Sequence, residues 1–155
     1  MSEQEIDEEE KRMTPLGLFN FAESYWKAAK ALDSAKLKST HPNAPVSFLY
    51  YHAIELYLKS LLRFHGHTIA DLAGRKFGHS TRKLRKRAEQ LGLVLDDEDK
   101  EVLSMMASTD AVIRSRYLQT GFFNCPAPEA LDRTCVSLRD TVGKALKSGG
   151  IHVRL

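Results

Sequence analysis

Cysteine is nearly absent: Cys125 and Cys135 are the only two in 155 residues. They cannot build a disulfide framework and give no paired metal-ligand spacing. Two free thiols in a reducing cytoplasm are expected. Long apolar runs are missing too. The densest apolar stretch, 45–64, is broken by His52, Glu55, Lys59 and Arg63, and nothing approaches the roughly 18–20 apolar residues that span a bilayer. The first twelve residues are acidic and lack an apolar stretch, so they do not read as a signal or transit peptide. There is no glycine-rich phosphate loop, no internal repeat and no strand-like alternation. A soluble cytoplasmic protein with no membrane partner is the expectation.

What is present is ordinary for a globular domain. The hydrophobic fraction is 43% and the charged fraction 28%. One domain is expected at this length, large enough to bury roughly 70% of its unfolded surface without a disulfide or metal.

Charge is unevenly placed. The net charge is +3, yet residues 1–12 hold six acids and two bases. The arm 1–13 is expected to be disordered, because it has too little apolar surface to offset its ordering entropy. The densest basic run spans 75–87: Arg75, Lys76, Arg82, Lys83, Arg85, Lys86 and Arg87, with no acid among them. Such a run can neutralise phosphates and release counterions. It is equally the wet face of a helix whose apolar stripe is Leu84, Ala88 and Leu91.

Turn residues cut the chain into segments of helical periodicity. Thr14-Pro15 is a helix start, and Leu18, Phe21, Tyr25, Ala29 and Leu32 follow at three- and four-residue steps towards an end near Lys38. The connector 41–45 holds two prolines. A second helix is predicted over 46–65, apolar on nearly every side and therefore central. Its polar residues His52, Glu55, Lys59 and Arg63 form one stripe, with Glu55 and Lys59 in the favourable i,i+4 order. One helical turn is expected at 68–72. A third helix starts at the cap Ser80 and ends at Gly92. A fourth starts among Asp96–Asp99, where acids complement the helix dipole, and runs to just before Gly121. Pro126 and Pro128 open the last, which ends at 148–150. Residues 151–155 form a short, strand-like tail. The fold class is all-α, an antiparallel four- to five-helix bundle over 14–147, with 148–155 as a tail.

"YYHAIELYLKSLLRFHG", "FGHSTRKLRKRAEQLGL" and "IRSRYLQTGF", in that order, resemble the HEPN superfamily of small helical bundles. The family's Glu followed by Leu-Lys is matched by Glu55, Leu58 and Lys59. Its Gly-His step into a helix is matched by Gly78 and His79, and its late Arg-Tyr by Arg116 and Tyr117. The resemblance covers Phe19 to Leu146. It implies RNA or nucleotide binding or RNA cleavage, a homodimer, and a toxin–antitoxin or defence setting. The family's nucleases use an Arg followed after four to six residues by His. Arg then holds the scissile phosphate and His moves a proton. This chain departs from that pattern. The required positions hold Gln119, Thr120 and Gly121 after Arg114, and Gly121, Phe122 and Phe123 after Arg116. None of the six histidines has an Arg five to seven residues before it.

The expectation is therefore a HEPN-like module that binds RNA or a nucleotide without cleaving it and without a cofactor. Arg114 and Arg116 hold phosphate, Tyr117 stacks, and Arg82, Lys83 and Lys86 steer the polyanion. Paired arginines beside aromatics equally suit a dimer interface, and Phe122, Phe123 and Asn124 follow them. Glu55, Lys59 and His79 are read as structural polar residues, since a buried carboxylate needs a partner. The alternatives are a divergent metal-independent ribonuclease, with Arg114 or Arg116 working with Tyr117 or His79, and a module that binds only protein. His65, His67 and His79, with Asp71 near, lack the defined spacing of a metal site.

Overall fold

Thr14 opens the first long helix as its spacing predicts: its side chain accepts from Gly17 N at 2.9 Å, and Pro15 takes the first helical position. The protein is described here from a computed structural model covering residues 2–118 and 125–155, where every regular element is a helix. The helices are α1 (Glu3–Arg12), α2 (Pro15–Ala35), α3 (Asn43–Phe64), α4 (Ile69–Ala73), α5 (Thr81–Gln90), α6 (Asp97–Ser108), α7 (Ala111–Arg114) and α8 (Pro128–Ser148). Among the described residues, no helix is long and apolar enough to cross a membrane.

α3 is the central helix, as its all-round apolarity requires. Residues 53–62 are buried without a break, and α2, α4, α5, α7 and α8 all touch it. α2 lies antiparallel to α3: Ser60 Oγ bonds Pro15 O at 2.7 Å, the Phe19 and Tyr57 rings meet edge to face, and Tyr25 packs on His52. α8 is antiparallel to α2, because Asp132 meets Trp26 while Arg139 meets Glu23. α5 covers another side of α3, and α6 packs between α5 and α8.

A polar knot ties α2, α3 and α8 together. Glu23 accepts from Tyr57 Oη at 2.5 Å and from Arg139 Nε at 2.7 and 2.9 Å. Burial and the neighbouring Glu23 carboxylate raise the Tyr57 hydroxyl well above its usual range, so it stays a donor. The guanidinium of Arg139 also lies 5.1 Å from the Trp26 ring centroid.

Five sequence expectations change. The acidic arm is a helix. Ser2 and Glu5 form a capping box, Lys11 pairs with Asp7 at 2.7 Å, and Arg63 anchors the helix end by bonding Glu10 O and Met13 O. No α1 residue is buried, so local capping and these tethers, rather than a core face, account for it. α2 stops at Ala35 instead of Lys38, because Lys36 turns left-handed at φ 51°. α3 begins at Asn43 and takes Pro45 into its first turn, where a missing N–H leaves no intrahelical bond unmade. The fourth helix is split into α6 and α7 by Asp110, left-handed at φ 47°. The predicted end before Gly121 lies outside the described residues. The tail is no strand: Val153 is buried in the core.

Candidate functional site

The residue order of α5 sorts its cations. Leu84 and Ala88 are fully buried against the core, which turns the rest of the helix outward. Ser80 caps it, accepting from Lys83 N at 3.3 Å, and Gly78 at φ 51° sets the turn before it. Replacing Ser80 by Ala should cost about 1 kcal/mol, read as a lower urea midpoint.

The basic run is not one uniform face. Arg85 reaches α6, donating to Ser104 Oγ at 2.9 Å and Lys100 O at 3.2 Å, and pairs with Glu89. Arg87 donates to His67 Nε2 at 2.9 Å and to Gln90 at 3.3 Å. Lys76 pairs with Asp71. These three serve the fold. Arg82, Lys83 and Lys86 instead line a cavity of about 480 Å3 between α5 and the end of α6. Met106 and Ala107 supply its apolar wall, and Ser80, Thr81 and Asp110 complete it. Arg82 and Lys86 have no ion-pair partner among the described residues, and Lys83 Nζ reaches only Arg75 O at 3.3 Å. Three cations around one concavity suit a phosphate chain.

Arg116 and Tyr117 lie elsewhere. They line a second cavity of about 760 Å3, with Phe48 and Tyr51 of α3, His41 and Cys125. Tyr117 is 69% exposed. Arg114 ends α7 and is exposed. Five of the six proposed phosphate residues thus fall on two separate surfaces, Arg82, Lys83 and Lys86 on one and Arg116 and Tyr117 on the other, and Arg114 lines neither cavity. Gln119, Thr120, Gly121, Phe122, Phe123 and Asn124 lie outside the described residues.

Glu55 sits on the core side of α3, 3% exposed. Lys59 Nζ donates to its Oε1 at 2.6 Å, and His79 Nδ1 donates to the same oxygen at 2.8 Å. The carboxylate can only accept, so this contact fixes the His79 proton on Nδ1 and leaves Nε2 on a side chain 41% exposed. Burial pushes the Glu55 carboxyl up. The nearby His52 ring, the Lys59 charge and the Lys59 and His79 bonds outweigh that and hold it at about 2. His52 Nδ1 stands 3.9 Å from Oε2, beyond bonding distance, and neither atom has a hydrogen-bond partner among the described residues. Lys59 and His79 are thus the two groups that hydrogen-bond the carboxylate. Phe48 stacks parallel to the His52 ring, and Tyr25 meets it edge-on.

The histidines do not gather. His67 lies 3.3 Å from Asp71 and meets Arg87, while His79 is held by Glu55. Among the described residues, no group of three His, Cys, Asp or Glu side chains is placed to hold a metal. Sequence reasoning missed Met106, Ala107 and Asp110 as cavity residues. The one available signal was Ser108-Thr109-Asp110, three turn-forming residues in a row that break the fourth helix.

No family model, curated protein or solved structure matches this chain.

Proposed function

We propose that this chain is a HEPN-like helical module that binds RNA or a nucleotide through phosphate contacts at the start of α5. The observation that carries the reading is the company of Arg82, Lys83 and Lys86. They share one concave surface, and their carboxylate neighbour Asp110 makes no salt bridge with them. Cations used to stabilise a fold are normally tied down, as Arg85 and Arg87 are here. Cations left at a cleft have their charge available to a ligand. The second cavity, with Arg116 and the exposed Tyr117, adds a stacking surface of the kind single strands use.

Metal-independent RNA cleavage is a second reading, favoured by the Glu55–His79 contact. A carboxylate that fixes the imidazole proton on Nδ1 leaves Nε2 as a proton acceptor, and His79 immediately precedes the α5 cap.

One experiment tests both. Single-stranded RNA is titrated with the full chain across a salt series in excess chelator, and the same samples are run on a denaturing gel. The expected result is binding whose affinity falls linearly with salt on logarithmic axes, by about 0.7 per phosphate contacted, with intact RNA. Salt-independent binding or none overturns the phosphate reading and favours a module that recognises only protein. Cleavage that persists in chelator and disappears in His79→Gln establishes the second reading.

A further inference from the structure

The cleft at α5 contains one group that a phosphate site does not need. Asp110 lines it from the α6–α7 side, facing the cavity that Arg82, Lys83 and Lys86 line from α5. Its backbone is left-handed at φ 47° and ψ 48°. Asn or Gly adopts that conformation at least as readily and would not repel a phosphate. Asp110 stands at the N-cap of α7, yet its side chain makes no capping hydrogen bond. It forms no salt bridge with another described residue. Its carboxylate therefore serves neither the turn, nor the helix, nor the cations beside it.

A lone carboxylate in a cationic cleft discriminates. It weakens every polyanion by repulsion and repays only a ligand that offers a hydrogen-bond donor close to its phosphate. We propose that Asp110 is the specificity-determining residue of this cleft, accepting a hydrogen bond from the 2′-hydroxyl of a ribonucleotide whose phosphate lies on Arg82, Lys83 and Lys86, so that the site selects RNA over DNA. This rests on the RNA-binding reading above. The 2′-hydroxyl neighbours the 3′-phosphate on the same sugar, so a single nucleotide can meet both walls of the cleft. The apolar surface of Met106 and Ala107 suits the sugar and base between them. Deoxyribose has no donor at that position and leaves only the repulsion, which is specificity by penalty as well as by contact. The volume, about 480 Å3, lies within the range of small-ligand clefts.

The test compares ribo- and deoxyribo-uridine oligomers of equal length at one fixed salt concentration. The base is the same in both, so any preference comes from the sugar. Asp110→Gly deletes the carboxylate and suits φ 47°, and Asp110→Asn keeps an acceptor without the charge. The wild type should prefer the ribo-oligomer by about tenfold, the size of one hydrogen bond to a charged group. Asp110→Gly should bring the ratio close to one, mainly by tightening the deoxyribo-oligomer, and Asp110→Asn should fall between. An equal ratio in wild type and Asp110→Gly, or no preference in the wild type, overturns the role of Asp110 and leaves the binding module standing. Failure of the wild type to bind either oligomer overturns both.

Discussion

Glu55→Ala should destabilise the fold by about 3–5 kcal/mol, the usual result of removing one partner from a buried ion pair. The loss comes from what is left behind. Lys59 is 11% exposed, packed on the central helix, and its ammonium would face the core without a counter-charge. His79 is 41% exposed and can turn to water, so Lys59 sets the size of the effect. Two controls separate this from a simple cavity. Lys59→Met in the Glu55→Leu background should recover most of the stability, since replacing both charges by apolar groups of similar size is often neutral. Glu55→Gln keeps the shape and removes only the charge. The wild type should also be acid-sensitive in a defined window. The folded carboxyl lies at about 2, below its ordinary 4.5, so its stabilisation is fully present above pH 4.5 and is lost as the pH falls through about 2. Urea titrations through this window should show the wild type losing stability that Glu55→Gln does not lose. Parallel curves for the two proteins would mean that Lys59 and His79 do not hold the carboxylate.

That cluster was only partly legible in the sequence. Glu55 and Lys59 are four apart on one helix, and this spacing alone places them together. His79 enters from the start of another helix, and no periodicity within α3 announces it. The Glu23–Tyr57–Arg139 knot shows the same limit. Its members are spread over α2, α3 and α8, and each reads in isolation as an amphipathic helix residue. The long helices were legible because periodic burial and strong caps coincide: Thr14, Ser80 and Asp96 each accept a backbone N–H where the spacing placed a helix start. The misreadings arose where local chemistry competes with periodicity. Asp110 breaks a helix that the apolar stripe Val102, Met106 and Val112 carries straight through, because a residue tolerant of the left-handed region follows two turn formers. The arm misled in the opposite direction. Its composition reads as disorder, but a capping box and i,i+4 pairs stabilise a helix without any apolar face. The basic run misled by count. Seven cations in 75–87 look equivalent in sequence, and only the positions of Ser104, His67 and Asp71 show which of them are held.

That distinction gives the second large expected effect. The triple variant Arg82→Ala, Lys83→Ala, Lys86→Ala should weaken single-stranded RNA binding about a hundredfold at about 0.1 M salt, if each cation meets one phosphate. The slope of log affinity against log salt should fall by about two, because each single-strand contact contributes about 0.7. The slope is the more telling quantity, since a variant that merely loosens the protein changes affinity without changing the number of ions released. The fold should survive. Ala is the best helix former, Leu84 and Ala88 still face the core, and the Ser80 cap is untouched. Arg85→Ala with Arg87→Ala is the counterpart. It removes two cations from the same helix, so general electrostatics predicts a comparable loss of binding. Because those guanidiniums donate to Ser104 and His67, the pair should lower the urea midpoint and leave the salt slope nearly unchanged. Arg116→Ala decides between the two cavities. If it reproduces the change in slope and the triple variant does not, phosphate is held at the end of α7 beside Tyr117, and the α5 cations steer rather than bind. If the triple variant alone changes the slope, the cleft at α5 is where the polyanion rests.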